Sequence, residues 1–169
     1  DDSVGEDNYN YICKAVGNDH RIKVYKSNRP DGFVGSTKRQ AASLCNGKYL
    51  LELDHDDELH DMALEACVRA FKAYPDAKFC YSNSAEAFET GGGVRYGEGF
   101  GMHQGVHFSY AYEGRELIGA DVPINASSIR HIVGVPNHFR CWERDFYFSI
   151  QRHNNKLAVV DDYELLVRT

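Results

Sequence analysis

The chain has 169 residues, 43% hydrophobic and 26% charged, with a formal net charge of -6. That length suits one domain with its own core, and the acidic balance argues against a nucleic-acid binder, which needs a basic face for phosphates. No apolar run approaches the ~20 residues of a membrane helix, and Asp1-Asp2 is followed by none of the basic, apolar and cleavage regions of a signal peptide. The five cysteines, Cys13, Cys45, Cys67, Cys80 and Cys141, include no Cys-x-x-Cys. They read as small buried apolar side chains in a reducing compartment, not as a disulfide framework or a structural zinc site. The expected location is the cytoplasm, free or peripheral to the inner face of a membrane.

In chain order, Ile22 to Tyr25 is a short apolar run that predicts a strand, and Asn28 to Gly35 predicts a loop. A helix is expected over Ser36 to Leu44, capped by Ser36 or Thr37 and stopped by Asn46-Gly47. Lys48 to Leu53 is the clearest strand and runs straight into Asp54, His55, Asp56, Asp57 and Glu58. A second helix is expected from about Asp61 to Tyr74, with Ala63, Leu64, Cys67, Val68, Ala70 and Phe71 on one face, and Lys78 to Tyr81 starts another strand. Alternating strands and helices predict an α/β domain with a mostly parallel sheet flanked by helices, a fold that binds ligands at the carboxyl ends of its strands. Glu89 to Gly105, rich in glycine and aromatics, reads as a long loop or irregular hairpin; Leu157 to Val160 reads as a small strand and Asp161 to Thr169 as the start of a helix.

Asp54, Asp56 and Asp57 crowd one strand end, and clustered carboxylates need a compensating charge to stay ionised. A divalent metal would supply it, and hard oxygen ligands favour Mg or Mn. The plain alternative is a solvated acidic turn. An EF-hand loop is excluded because its sixth position, counted from Asp54, is Leu59 rather than glycine. A phosphatase of the haloacid dehalogenase type usually has Thr or Val where this chain has Glu58.

In order and spacing, these pieces resemble family 2 glycosyltransferases of the GT-A fold, the Rossmann-like fold of nucleotide-diphospho-sugar transferases. Asp1-Asp2-Ser3 and Gly5-Glu6-Asp7 are similar to the family's Asp-Asp-Gly-Ser-Thr-Asp segment with one residue shifted. Arg21-Ile22-Lys23-Val24, then Lys38-Arg39-Gln40, then Gly47 through Asp57 follow the family order, ending in its Leu-Asp-x-Asp-Asp pattern. Val133 to Thr169 resembles the acceptor-side segment, with Asp161-Asp162 where the family usually has Glu-Asp. The resemblance implies a single domain over residues 1–169, partial at both ends, without the family's opening strands and its C-terminal end.

It also implies an inverting transfer from a nucleotide-diphosphate sugar donor to a carbohydrate or other hydroxyl acceptor, dependent on Mn or Mg. Asp56 would hold the metal, with Asp54 near the ribose or the metal and Asp57 beside them. Asp2, next to Asp1, would accept a hydrogen bond from the nucleotide base, and Arg39 or Lys38 would approach the phosphates. Asp162 would take the proton of the attacking hydroxyl, while Asp161 and Asp162 read without the family context as a helix N-terminal cap. Trp142, Tyr96 and Phe100 are candidate sugar platforms, although core or loop packing is the plainer reading. His103, His107, His131, His138 and His153 show no metal-ligand spacing, and His153, just before the base segment, is the least bland. Two other functions remain open at this point: another metal-dependent phosphoryl or nucleotidyl transfer, and a non-catalytic sugar-nucleotide-binding fragment.

Overall fold

The computed structural model describes residues 7–27, 32–86, 106–112, 115–121, 124–126, 128–131 and 136–169. In chain order the elements are α1 (Asp7–Val16), α2 (Val34–Leu44), β1 (Tyr49–Glu52), α3 (Ala63–Ala73), β2 (Phe79–Tyr81), β3 (Ser84–Glu86), β4 (Val106–Tyr112), β5 (Arg115–Asp121), α4 (Ser128–His131), β6 (Arg140–Glu143), α5 (Arg144–Ser149) and α6 (Asp161–Arg168). No described helix is long and apolar enough to cross a membrane.

The α/β character follows the expectation; the strand pairing does not. One sheet has the order β1-β6-β2 and the other β3-β5-β4, and every described pairing is antiparallel. β1 and β2 do run in the same direction, as their helical crossover through α3 requires. The late strand β6 lies between them and runs the opposite way, which no local pattern in β1 or β2 announces.

The register puts Leu50 opposite Trp142, Leu51 opposite Cys141 and Glu52 opposite Arg140. On the other side of β6, Phe79 faces Trp142 and Cys80 faces Cys141. Because side chains alternate along a strand, the sheet has two different faces. One packs Leu50 and Trp142 against Tyr147 of α5 and Leu165 and Leu166 of α6. The other packs Leu51, Cys80 and Cys141 against Cys67 and Phe71 of α3. The expected strand from Lys48 to Leu53 is shorter than predicted: Leu50 and Leu51 face opposite layers, while Leu53 lies past the strand end and is 39% exposed.

Four further expectations are corrected. Helix α2 starts at Val34 with Phe33 as N-cap, so Ser36 and Thr37 sit inside its first turn. On α3 only Ala63, Cys67, Ala70 and Phe71, the i, i+4, i+7, i+8 stripe, turn inward, and Leu64 and Val68 are exposed. Ile22 to Tyr25 forms no strand; Ile22 and Tyr25 are exposed, and no described strand runs beside them to take their backbone hydrogen bonds. Leu157 to Val160 is irregular, and Val160 closes it with a left-handed backbone at φ 58, a conformation strained for a β-branched residue. The expected loop from Glu89 to Gly105 lies outside the described residues.

Candidate active site

The acidic turn forms where β1 stops. Asp57 N–H closes it by donating to the Asp54 carbonyl at 3.3 Å. Asp54 and Asp57 are half-exposed, and the Asp56 side chain is 75% exposed. The strand itself contributes Glu52, two residues before Asp54 and nearly buried. Its Oε1 takes contacts from Lys38 Nζ and from His138 Nε2, the latter at 3.0 Å, with Arg140 Nη1 at 3.6 Å, and its Oε2 lies 3.4 Å from His153 Nε2. Burial alone would raise the Glu52 pKa. The hydrogen bond from His138, the close approach of His153 and the charge of Lys38 override that and hold the carboxyl far below the ordinary range.

Lys38, on α2, also reaches Asp54 Oδ1 at 2.9 Å. Burial works against its charge, but Glu52 and Asp54 win and its pKa is raised. His138 Nδ1 sits 3.1 Å from Asp57 Oδ2 and 3.7 Å from Asp54 Oδ2. Lys38 therefore meets part of the acidic charge for which the sequence suggested a metal.

Arg140, 1% exposed, extends the network to the second acid pair. Its Nε donates to the Pro136 carbonyl at 2.7 Å and its Nη2 to Asp162 Oδ2 at 3.1 Å. Asp162 Oδ1 accepts from the Tyr163 N–H at 2.7 Å, so both carboxylate oxygens are fixed. The helix N-cap is Val160 rather than either aspartate, and both acids fall in the first turn, where the helix dipole favours negative charge. Asp161 is buried, and its Oδ2 has no hydrogen-bond partner. Burial raises its pKa, with the Asp162 charge adding to the rise. Gly35 makes room for it: a Cβ there would stand 2.8 Å from Asp161 Cβ, Asp161 Oδ2 and the Asn154 carbonyl.

The loop that delivers these acids is held by two arginines. Arg39 donates to the carbonyls of Gln151 and His153 at 2.6 and 2.9 Å. Arg168 bonds the carbonyl of Ile150, and that of Arg152 at 2.8 Å. Gln151 and Arg152 take positive φ between these anchors. Arg39, expected with Lys38 near the phosphates, clamps this loop through its Nη1.

Trp142 takes the plainer of its two readings, core: it is 1% exposed, packs on Phe79 and Tyr147, and donates to Thr169 Oγ1 at 3.0 Å. His153 is likewise buried, its Nδ1 2.7 Å from the Tyr147 hydroxyl, so it supports Glu52 from behind. Asp1, Asp2, Tyr96, Phe100 and His103 lie outside the described residues; His107 lies in β4 and His131 ends α4. Sequence reasoning missed Glu52, His138 and Arg140 as site groups. Period two in a strand was the available signal: Glu52 shares a face with Leu50, and His138, Arg140 and Trp142 follow the same alternation.

The family model described as "Glycosyl transferase family 2" matches residues 1–130. The chain is 32% identical over 91 residues to an uncharacterized protein of Sinorhizobium fredii, covering 54% of this chain and 10% of that protein. It is 35% identical over 60 residues to the chondroitin synthase and to the hyaluronan synthase of Pasteurella multocida, 36% of this chain and 6% of each synthase. The chain thus spans a tenth or less of the length of these relatives.

Proposed function

The chain belongs to glycosyl transferase family 2, and from that membership we propose that it moves a sugar from a nucleotide-diphosphate donor to an acceptor hydroxyl, with inversion and with a divalent cation. The synthases among its relatives favour a carbohydrate acceptor. The observation that carries the reading is the continuous chain of contacts from the acidic turn to Asp162: Asp54 to Lys38, Lys38 to Glu52, Glu52 to Arg140, Arg140 to Asp162. It joins the strand end where a donor binds to the acid suited to act as base.

The same contacts support one domain across residues 1–169. β1 lies within the residues matched by the family model and β6 beyond them, yet the two pair in one sheet. Asp161 and Asp162 are thereby carried into the unit that holds the acidic turn.

A hard divalent cation fits Asp56, whose exposed carboxylate has, among the described residues, only His55, 3.8 Å away, as a close ion partner, together with Asp54. It does not fit the Glu52 end, where Lys38 and His138 already occupy Oε1. When bound, such an ion neutralises charge growing on the leaving diphosphate. Lys38 holds Asp54 in place beside it and presents positive charge at the phosphate end. Asp2 binds the nucleotide base, with Asp1 next to it, and Asp57 is steadied by His138. Arg140 orients Asp162, which takes the proton from the acceptor hydroxyl as that oxygen attacks the anomeric carbon.

Calorimetric titration with UDP-, GDP- and dTDP-sugars in Mn or Mg tests the donor site. Asp56→Asn should abolish the metal-dependent part of binding; equal affinity with and without metal in both proteins would reject the assignment. Asp162→Asn should keep donor binding and lower transfer by about 10²–10⁴-fold. Release of pyrophosphate or free phosphate, in place of a glycoside and a nucleoside diphosphate, would move the chain to another transfer chemistry.

A further inference from the structure

The face of the sheet opposite Glu52 and Arg140 holds a cluster that sugar transfer does not use. Cys67 comes from α3, Cys80 from β2 and Cys141 from β6, and their sulfurs lie within 4.8 Å of one another. Cys80 and Cys141 are partners across the strand ladder. The helix seats Cys67 over them, with the Cys67 and Cys80 sulfurs 3.4 Å apart.

Two chemistries suit converging thiols. A soft metal ion would require thiolates, and a charged metal–thiolate centre is costly among Phe71, Phe139, Tyr49 and Leu51. A disulfide is uncharged and apolar, so the same surroundings accept it without that cost. We propose that Cys67 and Cys80 form a reversible disulfide, a modification site that ties α3 to the sheet, made by exchange with a low-molecular-weight disulfide.

Cys80 is only half-buried, and the hydrogen bond with Cys141 holds its thiol down, at about 7. Its thiolate is therefore the first nucleophile. It breaks the sulfur–sulfur bond of the small disulfide, a mixed disulfide forms on Cys80, and one small thiolate leaves and takes up a proton. Burial pushes the Cys67 thiol up to about 11, so this group waits as the resolving thiol. It loses its proton as its sulfur attacks Cys80, and the second small thiol departs. Two protein thiols are oxidised and one small disulfide is reduced to two thiols. The sulfurs close from 3.4 Å to about 2.0 Å, and Cys141 stays a thiol.

The test uses the full chain carrying C45S, which removes an exposed cysteine. It is incubated with oxidised glutathione, quenched in acid, alkylated under denaturing conditions and mapped by mass spectrometry. The expected product is a Cys67–Cys80 crosslinked peptide pair, lighter by two hydrogens and restored by dithiothreitol. C141S should retain the crosslink, and C67S should stop at a glutathione adduct on Cys80. A persistent adduct on Cys80 with Cys67 intact, a Cys80–Cys141 bridge, or unmodified thiols at 67 and 80 would overturn the proposal.

Discussion

The two faces of the β1-β6-β2 sheet are built from alternate residues of the same short strands, yet they hold together by different physics. The α3 face packs mainly through apolar and thiol side chains, and Tyr49 stacks on Phe71 with ring centroids 4.3 Å apart. The opposite face begins apolar, with Leu50, Trp142, Tyr147, Leu165 and Leu166, and becomes ionic one pair further along, at Glu52 and Arg140. A buried charge is tolerable only beside its partners, so this face is rigid only while the whole set is present. The apolar face tolerates loss in proportion to volume. The candidate site lies on the face that depends on its charges.

The largest expected effects test that contrast directly. Phe71→Ala and Glu52→Gln should each lose roughly 3–5 kcal/mol of stability in urea unfolding, the first by opening a cavity, the second by removing the buried charge that Lys38 and Arg140 share and leaving each with a single carboxylate, Asp54 and Asp162. Their pH dependence should separate them. The folded-state pKa of Glu52 is held below the ordinary glutamate value of 4.5, so its contribution is complete above about that value and is lost as the pH falls further toward the folded pKa. The gap between wild type and Glu52→Gln should therefore narrow in acid, whereas the Phe71→Ala gap should not. Parallel curves for both variants would remove the distinction between the faces.

Gly35→Ala should cost about 1–3 kcal/mol by overpacking, because its Cβ would collide with Asp161 and the Asn154 carbonyl. It should also displace Asp162, so transfer should fall more than donor binding. Asp161→Asn acts in the opposite direction. The folded pKa of Asp161 is raised, so the acid favours folding only while protonated, and that contribution is lost as the pH rises through the folded value. At neutral pH the variant should therefore melt higher than wild type in calorimetry; a lower melting temperature would mean that the carboxylate has a stabilising partner. The smallest effect belongs to Arg69→Ala on the exposed side of α3, where the i,i+4 pair with Glu65 should contribute only about 0.3–0.5 kcal/mol. A larger loss would show that α3 is held by more than its inward stripe.

Elements with local signals were legible in the residues alone. Helices α2 and α3, strands β1 and β2, and the acidic turn after Leu53 follow from periodicity, from a polar break after an apolar run, and from motif order. The family followed from that order and is supported by the match over residues 1–130. Only the tertiary structure decided what the strands pair with, because β6 enters between β1 and β2 from far along the chain and backbone pairing leaves no mark in any one segment. The same insertion decided the partners of the acids. Glu52 looked like one polar residue in an apolar strand, Arg39 was one of two candidates for the phosphates, and Trp142 was read as core packing or a sugar platform. Burial and the register with Arg140 made Glu52 the hub of the charge network, the 151–153 carbonyls claimed Arg39, and α5 and α6 covered Trp142. Residue type and spacing limit what a side chain can do; which charge meets which, and whether water can reach them, depends on segments distant in sequence and exists only once the chain is packed.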